Sequence, residues 1–223
     1  MVGAGDDIGG TTAPAGQALC PRGLVDLRGH KRGPEVLAYP PGAVVVVSGL
    51  PGSGKSTLLR RWSGAGRVVD PRDVHVACES AMPDFLPYAA YRPWARVLHF
   101  LRLRTGVRAG GPLLVHDCGS RAWMRRWLGR AAGRLGRELH LVLLDVGPAE
   151  ALAGQHARGR STRPHVFARH RRGLSRLLSA LPAPGTATRG RRPVPPMVAE
   201  AASVVLLDRT TREHVRVVTF GAA

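Results

Sequence analysis

Residues Val44-Val-Val-Val47 form an unbroken β-branched run, the pattern of a strand buried on both faces. Shorter runs repeat this pattern along the chain. Arg67–Asp70 reads as a second strand, Leu113-Leu-Val-His-Asp117 as a third and Leu139–Asp145 as a fourth. Ser203–Asp208 is a late strand, expected to pair with Val215–Phe220 as a hairpin through 209–213. Val36–Tyr39 reads as a short edge strand that Pro40-Pro41 ends. Between the strands the apolar spacing changes to three and four residues, the period of a helix. Leu58, Leu59 and Trp62 mark one helix, and Trp94, Val97, Leu98 and Leu101 form the apolar stripe of another over Arg92–Arg104. Met124, Leu128, Ala131 and Leu135 form a core stripe over Arg121–Arg137, with Arg126, Arg130, Arg134 and Arg137 on the opposite side. Further helices are expected from Pro148 and over Pro164–Leu181, since Pro favours a first helical turn. Strand–helix alternation of this kind predicts an α/β fold, a doubly wound and mainly parallel sheet with helices on both faces.

Composition sets the limits of that domain. Residues 1–23 are rich in Gly, Ala, Thr and Pro and read as a disordered leader. The core then runs over 24–181, a Pro/Arg-rich linker over 182–199, and a C-terminal strand or hairpin completing the sheet over 200–223. No apolar run approaches the roughly 18–20 residues that span a membrane. The N-terminus carries Asp6 and Asp7 and no apolar segment, which argues against a secretory signal and for a cytoplasmic protein. Cys20, Cys78 and Cys118 are far apart and outside any metal-ligand spacing, so neither a disulfide nor a zinc site is expected.

One stretch carries clear chemistry. Gly49-Leu-Pro-Gly-Ser-Gly-Lys-Ser-Thr57 directly follows the all-Val strand and matches the phosphate-binding loop pattern. Gly49, Gly52 and Gly54 permit backbone turns and close approaches that side chains would block. Successive N–H groups, with Pro51, Ser53 and Thr57 among the loop residues, would then face phosphate oxygens at a helix N-terminus. Lys55 would reach the β- and γ-phosphates of ATP, and the Ser56 hydroxyl would ligate Mg²⁺.

The formal charge of +18 is carried almost wholly by Arg, since Lys31 and Lys55 are the only lysines. Thirteen arginines and three acids, Glu138, Asp145 and Glu150, lie between Arg121 and Arg176. Such a surface makes a nucleic-acid partner possible without identifying one. Trp123 and Trp127, four apart, read as core residues rather than base-stacking ones.

The chain resembles the P-loop kinase-like ATPases, the zeta-toxin-like and polynucleotide-kinase-like group often labelled AAA family ATPases. The loop, the Asp70-Pro-Arg-Asp73 corner and the arginines from Arg158 onward carry the resemblance. It implies the three-layer P-loop NTPase fold and, for a monomer, transfer of the ATP γ-phosphoryl group to a hydroxyl acceptor. Asp70 would orient that hydroxyl, or cap the next helix, as Asp commonly does. Asp73 is a second candidate. Asp117 stands where the Walker B aspartate holds Mg²⁺ through water, or else makes an Asx turn. Arg158, Arg160 and Arg163 stand where such kinases close a lid over ATP, neutralising charge on the transferring group. Arg121 is a candidate for substrate contact, and Asp145 is expected to be structural.

Family members often use an Arg two residues after the second Asp to hold a substrate phosphate; here that place is His75. No Asn-Lys-x-Asp guanine reader and no Ser-Gly-Gly-Gln signature occur, which argues against ordinary GTPases and ABC-type ATPases. The position after Asp117 holds Cys rather than Glu, which favours transfer to an acceptor over simple hydrolysis. An ATP-binding switch with slow hydrolysis stays open as the alternative.

Overall fold

The computed structural model describes residues 18–83, 85–117, 122–157, 159, 162–181 and 193–221. In chain order these form β1 (Ala18–Leu19), β2 (Gly23–Asp26), β3 (Val36–Tyr39), β4 (Val44–Gly49), α1 (Lys55–Arg61), β5 (Arg67–Val69), α2 (Pro71–Ala81) and α3 (Tyr88–Arg108). There follow β6 (Leu113–His116), α4 (Ala122–Gly133), β7 (Leu139–Leu144), α5 (Pro148–His156), α6 (Pro164–Ser179), a 3-10 turn at Pro196–Val198, β8 (Ser203–Leu207), α7 (Arg209–His214) and β9 (Val217–Phe220). No helix among the described residues is long and apolar enough to cross a membrane.

The main sheet has six strands in the order β2-β8-β7-β4-β6-β5, and every pairing is parallel. All six residues of β4 are buried. Alternation along it divides the interior into two cores. Val44 and Val46 face α3 and α4 through Leu103, Val107, Leu128 and Ala132. Val45 and Val47 face α1 through Leu58, Leu59 and Trp62. Burying each such Val or Leu contributes roughly 1.5–3 kcal/mol, so a run apolar on both faces is stable only under cover on both sides. The result is the α/β P-loop NTPase fold, with β4 near the middle and its loop at the carboxyl edge.

On the α1 face a second, three-stranded parallel sheet, β1-β3-β9, covers the space beside that helix. Leu37, Tyr39 and Val218 carry it onto the core. The expected hairpin is therefore replaced by a crossover. β8 joins the main sheet, 209–214 is helical, and β9 pairs with β3 in the other sheet. Asp208 nucleates α7 as its N-cap, accepting from Thr211 N at 2.9 Å, with the Thr211 hydroxyl returning to the Asp208 backbone. That reciprocal pair turns the chain into a helix where a two-strand pattern predicted a turn.

Other differences have similar causes. β3 is the central strand of its sheet, not an edge, because β1 and β9 approach it from regions expected to be leader and hairpin. β1 and the first residue of β2 fall within 1–23, too short to show a period. The end of the expected linker is also packed, with Val198 fully buried. Helix α2 has no counterpart in the sequence pattern, since Val74 and Cys78 are its only buried residues.

Helix α3 exposes most of the stripe expected to be its core face: Trp94, Val97 and Leu101 are exposed and only Leu98 packs inward, on a small core with Tyr91 and Ala95, while Leu103 and Val107 are buried. Trp123 and Leu135 are likewise exposed. Arg137, expected on the solvent side, is 8% exposed. Its guanidinium donates to Gly42 O at 2.6 Å and to the carbonyls of Val107 and Gly111, closing the amino edge of the sheet. A fork of five donors suits loop carbonyls that have no strand partner.

His140 is fully buried in β7, 2.8 Å from Ser203 Oγ and stacked at 4.7 Å on Tyr39. Burial lowers its pKa from 6.5 to about 4, against the opposing pull of Glu138. The folded ring therefore stays neutral where the unfolded one takes up a proton. This contribution is complete above pH 6.5 and is lost as pH falls toward 4, up to about 3 kcal/mol. Urea unfolding of wild type between pH 7 and 4 is expected to show that slope, and His140→Gln to flatten it. Equal slopes for the two proteins would contradict the assignment.

Candidate functional site

The phosphate-binding loop leaves β4 and enters α1 as the spacing requires. Gly52 has φ +92°, and a Cβ there would fall 1.9 Å from Ala151 O of α5. Gly54, the N-cap of α1, also has φ +92°, and its Cβ would fall 2.7 Å from Arg212 Nη1. Both positions need glycine for conformation, and Gly52 needs it for space as well, since its neighbour is fixed backbone. Lys55 is 3% exposed and its Nζ donates to Gly49 O at 2.9 Å and Leu50 O at 2.7 Å, spanning the loop. Ser53 is fully buried, Pro51 is partly buried, and Thr57 faces solvent.

A group of oxygen and nitrogen side chains gathers beside the loop. Asp70 caps α2, its Oδ1 accepting from Arg72 N at 2.9 Å and lying 3.0 Å from His116 Nδ1. Its Oδ2 accepts from Ser56 Oγ at 3.3 Å. Cap and site thus use different oxygens of one carboxylate, and the two roles do not compete. Burial alone would raise the Asp70 carboxyl. His116, Arg72 N and Ser56 outweigh it and hold the pKa at about 2. Asp117, which begins just past β6, accepts from Ser48 Oγ at 3.3 Å.

Ser56, Asp70, Ser48 and Asp117 are hard oxygen donors of the kind Mg²⁺ takes. Together with a buried ammonium and two side-chain-free turns, they fit a nucleotide and its metal ion. Ser56 and Asp117 are the residues that would hold the ion.

Two clamps hold the loop from outside. On one side Gln155 of α5 donates through Nε2 to Pro51 O at 3.1 Å, while its Oε1 accepts from Thr162 N at 2.8 Å. That amide links the loop to the segment that carries the expected lid arginines. On the other side Arg212 of α7 donates through Nη1 to Ser53 O at 2.6 Å. Arg212→Ala is expected to weaken binding of an ATP analogue about five- to tenfold, the worth of one charge-assisted bond, with little change in melting temperature. Calorimetric titration measures it, and unchanged affinity would reduce Arg212 to a surface contact.

The remaining candidates divide. Asp73 is exposed in the first turn of α2 and makes no described contact with Ser56 or Asp117. Asp145 is tied to Arg28 at 2.7 Å and acts as a brace between β7 and the chain after β2. Arg163 is exposed at the start of α6. Arg121, Arg158 and Arg160 lie outside the described residues. His116, Ser48, Gln155 and Arg212 were not singled out by sequence. Ser48 and His116 did leave a signal, as polar residues ending apolar strands at the edge where α/β sheets bind ligands.

A parallel sheet with this loop at its central strand and carboxylates at the neighbouring strand ends defines a P-loop protein of kinase-like fold. A family model described as an AAA domain matches residues 44–182, more than half of the chain. The chain belongs to that family. Among solved structures it is similar to the tunicamycin resistance protein of Deinococcus radiodurans, with 20% identity, 60% of this chain and 80% of that one covered, and a TM-score of 0.42. It is also similar to a gluconokinase from Sinorhizobium meliloti, with 18% identity, 76% and 83% covered, and a TM-score of 0.40. No curated protein matches the sequence.

Proposed function

We propose that the protein is an ATP-dependent phosphotransferase that moves the γ-phosphoryl group to a hydroxyl acceptor. The supporting observation is that Asp70 meets Ser56 of the phosphate-binding loop and Asp117 meets Ser48 just before it, with Asp117 also lining a cavity of about 690 Å³. Phosphoryl transfer asks a protein mainly for positioning and charge neutralisation. Mg²⁺, when bound, supplies charge neutralisation at the phosphates. Lys55 adds a cation, and the loop N–H groups orient the donor. Asp70, held at about 2, stays ionised at any working pH and accepts a proton poorly. Its part is to orient the acceptor hydroxyl and stabilise charge. Arg158 and Arg160, by the resemblance of the sequence, would neutralise charge on the transferring group. With ATP and Mg²⁺ as its requirements, the reaction belongs in the cytoplasm.

The test is incubation with γ-labelled ATP and a panel of hydroxyl acceptors that includes 5′-hydroxyl oligonucleotides. Label is expected to pass to an acceptor faster than to water. Bound ATP with label passing only to water would favour a nucleotide switch instead.

A further inference from the structure

The cavity that opens from Asp117 has an unusual lining. Its floor is the carboxyl end of β4 and β6, and its walls come from α3, α4 and α6. Among its described lining residues there is no Asn, Gln, Ser or Thr, and Asp117 is the only acid. Acceptors for a run of sugar hydroxyls are few: Asp117, the Tyr88 hydroxyl and the rings of His75, His99, His116 and His170 are the side chains able to accept. What it offers instead is rings and cations.

Tyr88, Phe100 and Trp123 line it. Tyr88 is held edge-on by His75 at 4.3 Å and by Tyr91 at 5.3 Å, and Phe100 is held by Trp127 at 4.4 Å. These faces are preorganised for a flat apolar group. Arg92 and Arg96, one turn apart on α3, and Arg169 on α6 line the same cavity. None of the three makes an ion pair among the described residues. Arg125, by contrast, is buried and held by Glu200 at 3.2 Å. These three cations stand on the helices, and the carboxylate of Asp117 stands at the strand end. An occupant is thereby given a direction, with its anion toward the helices and its opposite end toward Asp117.

Resting on the phosphotransferase reading, we propose that the acceptor is a small anionic alcohol with a ring or other flat apolar body. Its carboxylate or phosphate sits among Arg92, Arg96 and Arg169, and its body lies on Tyr88, Phe100 and Trp123. Its hydroxyl faces the strand end where His116 and Asp117 line the cavity, beside Asp70, which lies 3.0 Å from the His116 ring and orients it. About 690 Å³ suits one such molecule, within the usual range for ligand cavities.

Binding is measured first, without turnover, by calorimetry on the full chain holding a non-hydrolysable ATP analogue. The probes are 4-(hydroxymethyl)benzoate (a carboxylate), adenosine 3′-monophosphate (a phosphate), gluconate (an anion without an apolar body), 2-phenylethanol (an apolar alcohol without charge) and a 5′-hydroxyl oligothymidylate. At least one of the two ring-bearing anions is expected to bind roughly tenfold or more tightly than gluconate and 2-phenylethanol. Which of the two binds tells carboxylate from phosphate. The combined variant Arg92→Gln, Arg96→Gln, Arg169→Gln is expected to lose that preference while still binding the ATP analogue, which shows that it is folded.

Gluconate binding as tightly as the ring-bearing anions overturns the proposal. So does neutral 2-phenylethanol binding equally well, the oligonucleotide alone binding, or no probe binding. Labelled ATP is then added. A ring-bearing anion that binds but receives no label overturns the phosphotransferase reading and leaves the ligand class standing. Label on gluconate without binding of the aromatic probes does the reverse.

Discussion

Lys55→Ala is expected to lower phosphoryl transfer about 10²–10³-fold, equivalent to roughly 3–4 kcal/mol of transition-state stabilisation. The Lys55 ammonium is nearly enclosed by the loop, where its charge is screened far less than at the surface. No other described side chain places a cation inside the turn; Arg212 reaches the loop from outside, through Ser53 O. The substitution also removes the donor to Gly49 O and Leu50 O, so the loop loses its internal strut. The two effects separate experimentally. Single-turnover transfer reports the charge, and the affinity for an ATP analogue reports the loop. Lys55→Arg keeps the charge but not the compact head, and is expected to recover little of the rate because the enclosed turn has no room for a planar fork. Transfer within threefold of wild type in Lys55→Ala would contradict the role.

Asp70→Asn is expected to be the second largest loss, about 10²-fold in turnover, with ATP-analogue affinity nearly unchanged. Asn keeps the shape and caps a helix as well as Asp does, so the N–H of Arg72 retains an acceptor. What goes is the negative charge that faces Ser56 and His116. A capping role alone predicts the opposite result, with turnover intact and stability altered. The pH profile adds a second check. With the carboxyl held at about 2, the acid limb of turnover above pH 4 is not that of Asp70 and is expected to be the same in the wild type and in Asp70→Asn. An acid limb that the Asn variant abolishes would show that the group titrates in the working range and acts as a base.

Local sequence was a good guide where one covalent segment performs the whole task. The loop is such a segment, because strand, turn glycines, lysine and helix are contiguous. The strands β4, β6 and β7 were legible because burial on both faces leaves only apolar choices. Sequence was a poor guide where two packing environments share one helix. Helix α3 carries Trp94, Val97 and Leu101 outward, while Ala95, Leu103 and Val107 pack inward, and periodicity alone cannot weigh a large exposed ring against a small buried methyl. Arg137 went to the expected polar side by pattern, and inside by structure, because the carbonyls it satisfies belong to two loops and the last turn of α3, all distant in sequence.

By itself, then, the chain's sequence determined a parallel α/β core and a phosphate-binding turn, since both follow from contiguous residues and local sterics. Only the tertiary structure decided that Asp70 caps α2 with one oxygen and meets Ser56 with the other. It alone carried β9 away from β8 to a second sheet, and so laid Arg212 against the loop. It also brought Trp123 of α4 and Arg169 of α6 to the cavity face of α3, which carries Tyr88, Arg92, Arg96 and Phe100. Those arrangements depend on crossovers between segments up to about 160 residues apart, and no local spacing records where such segments meet.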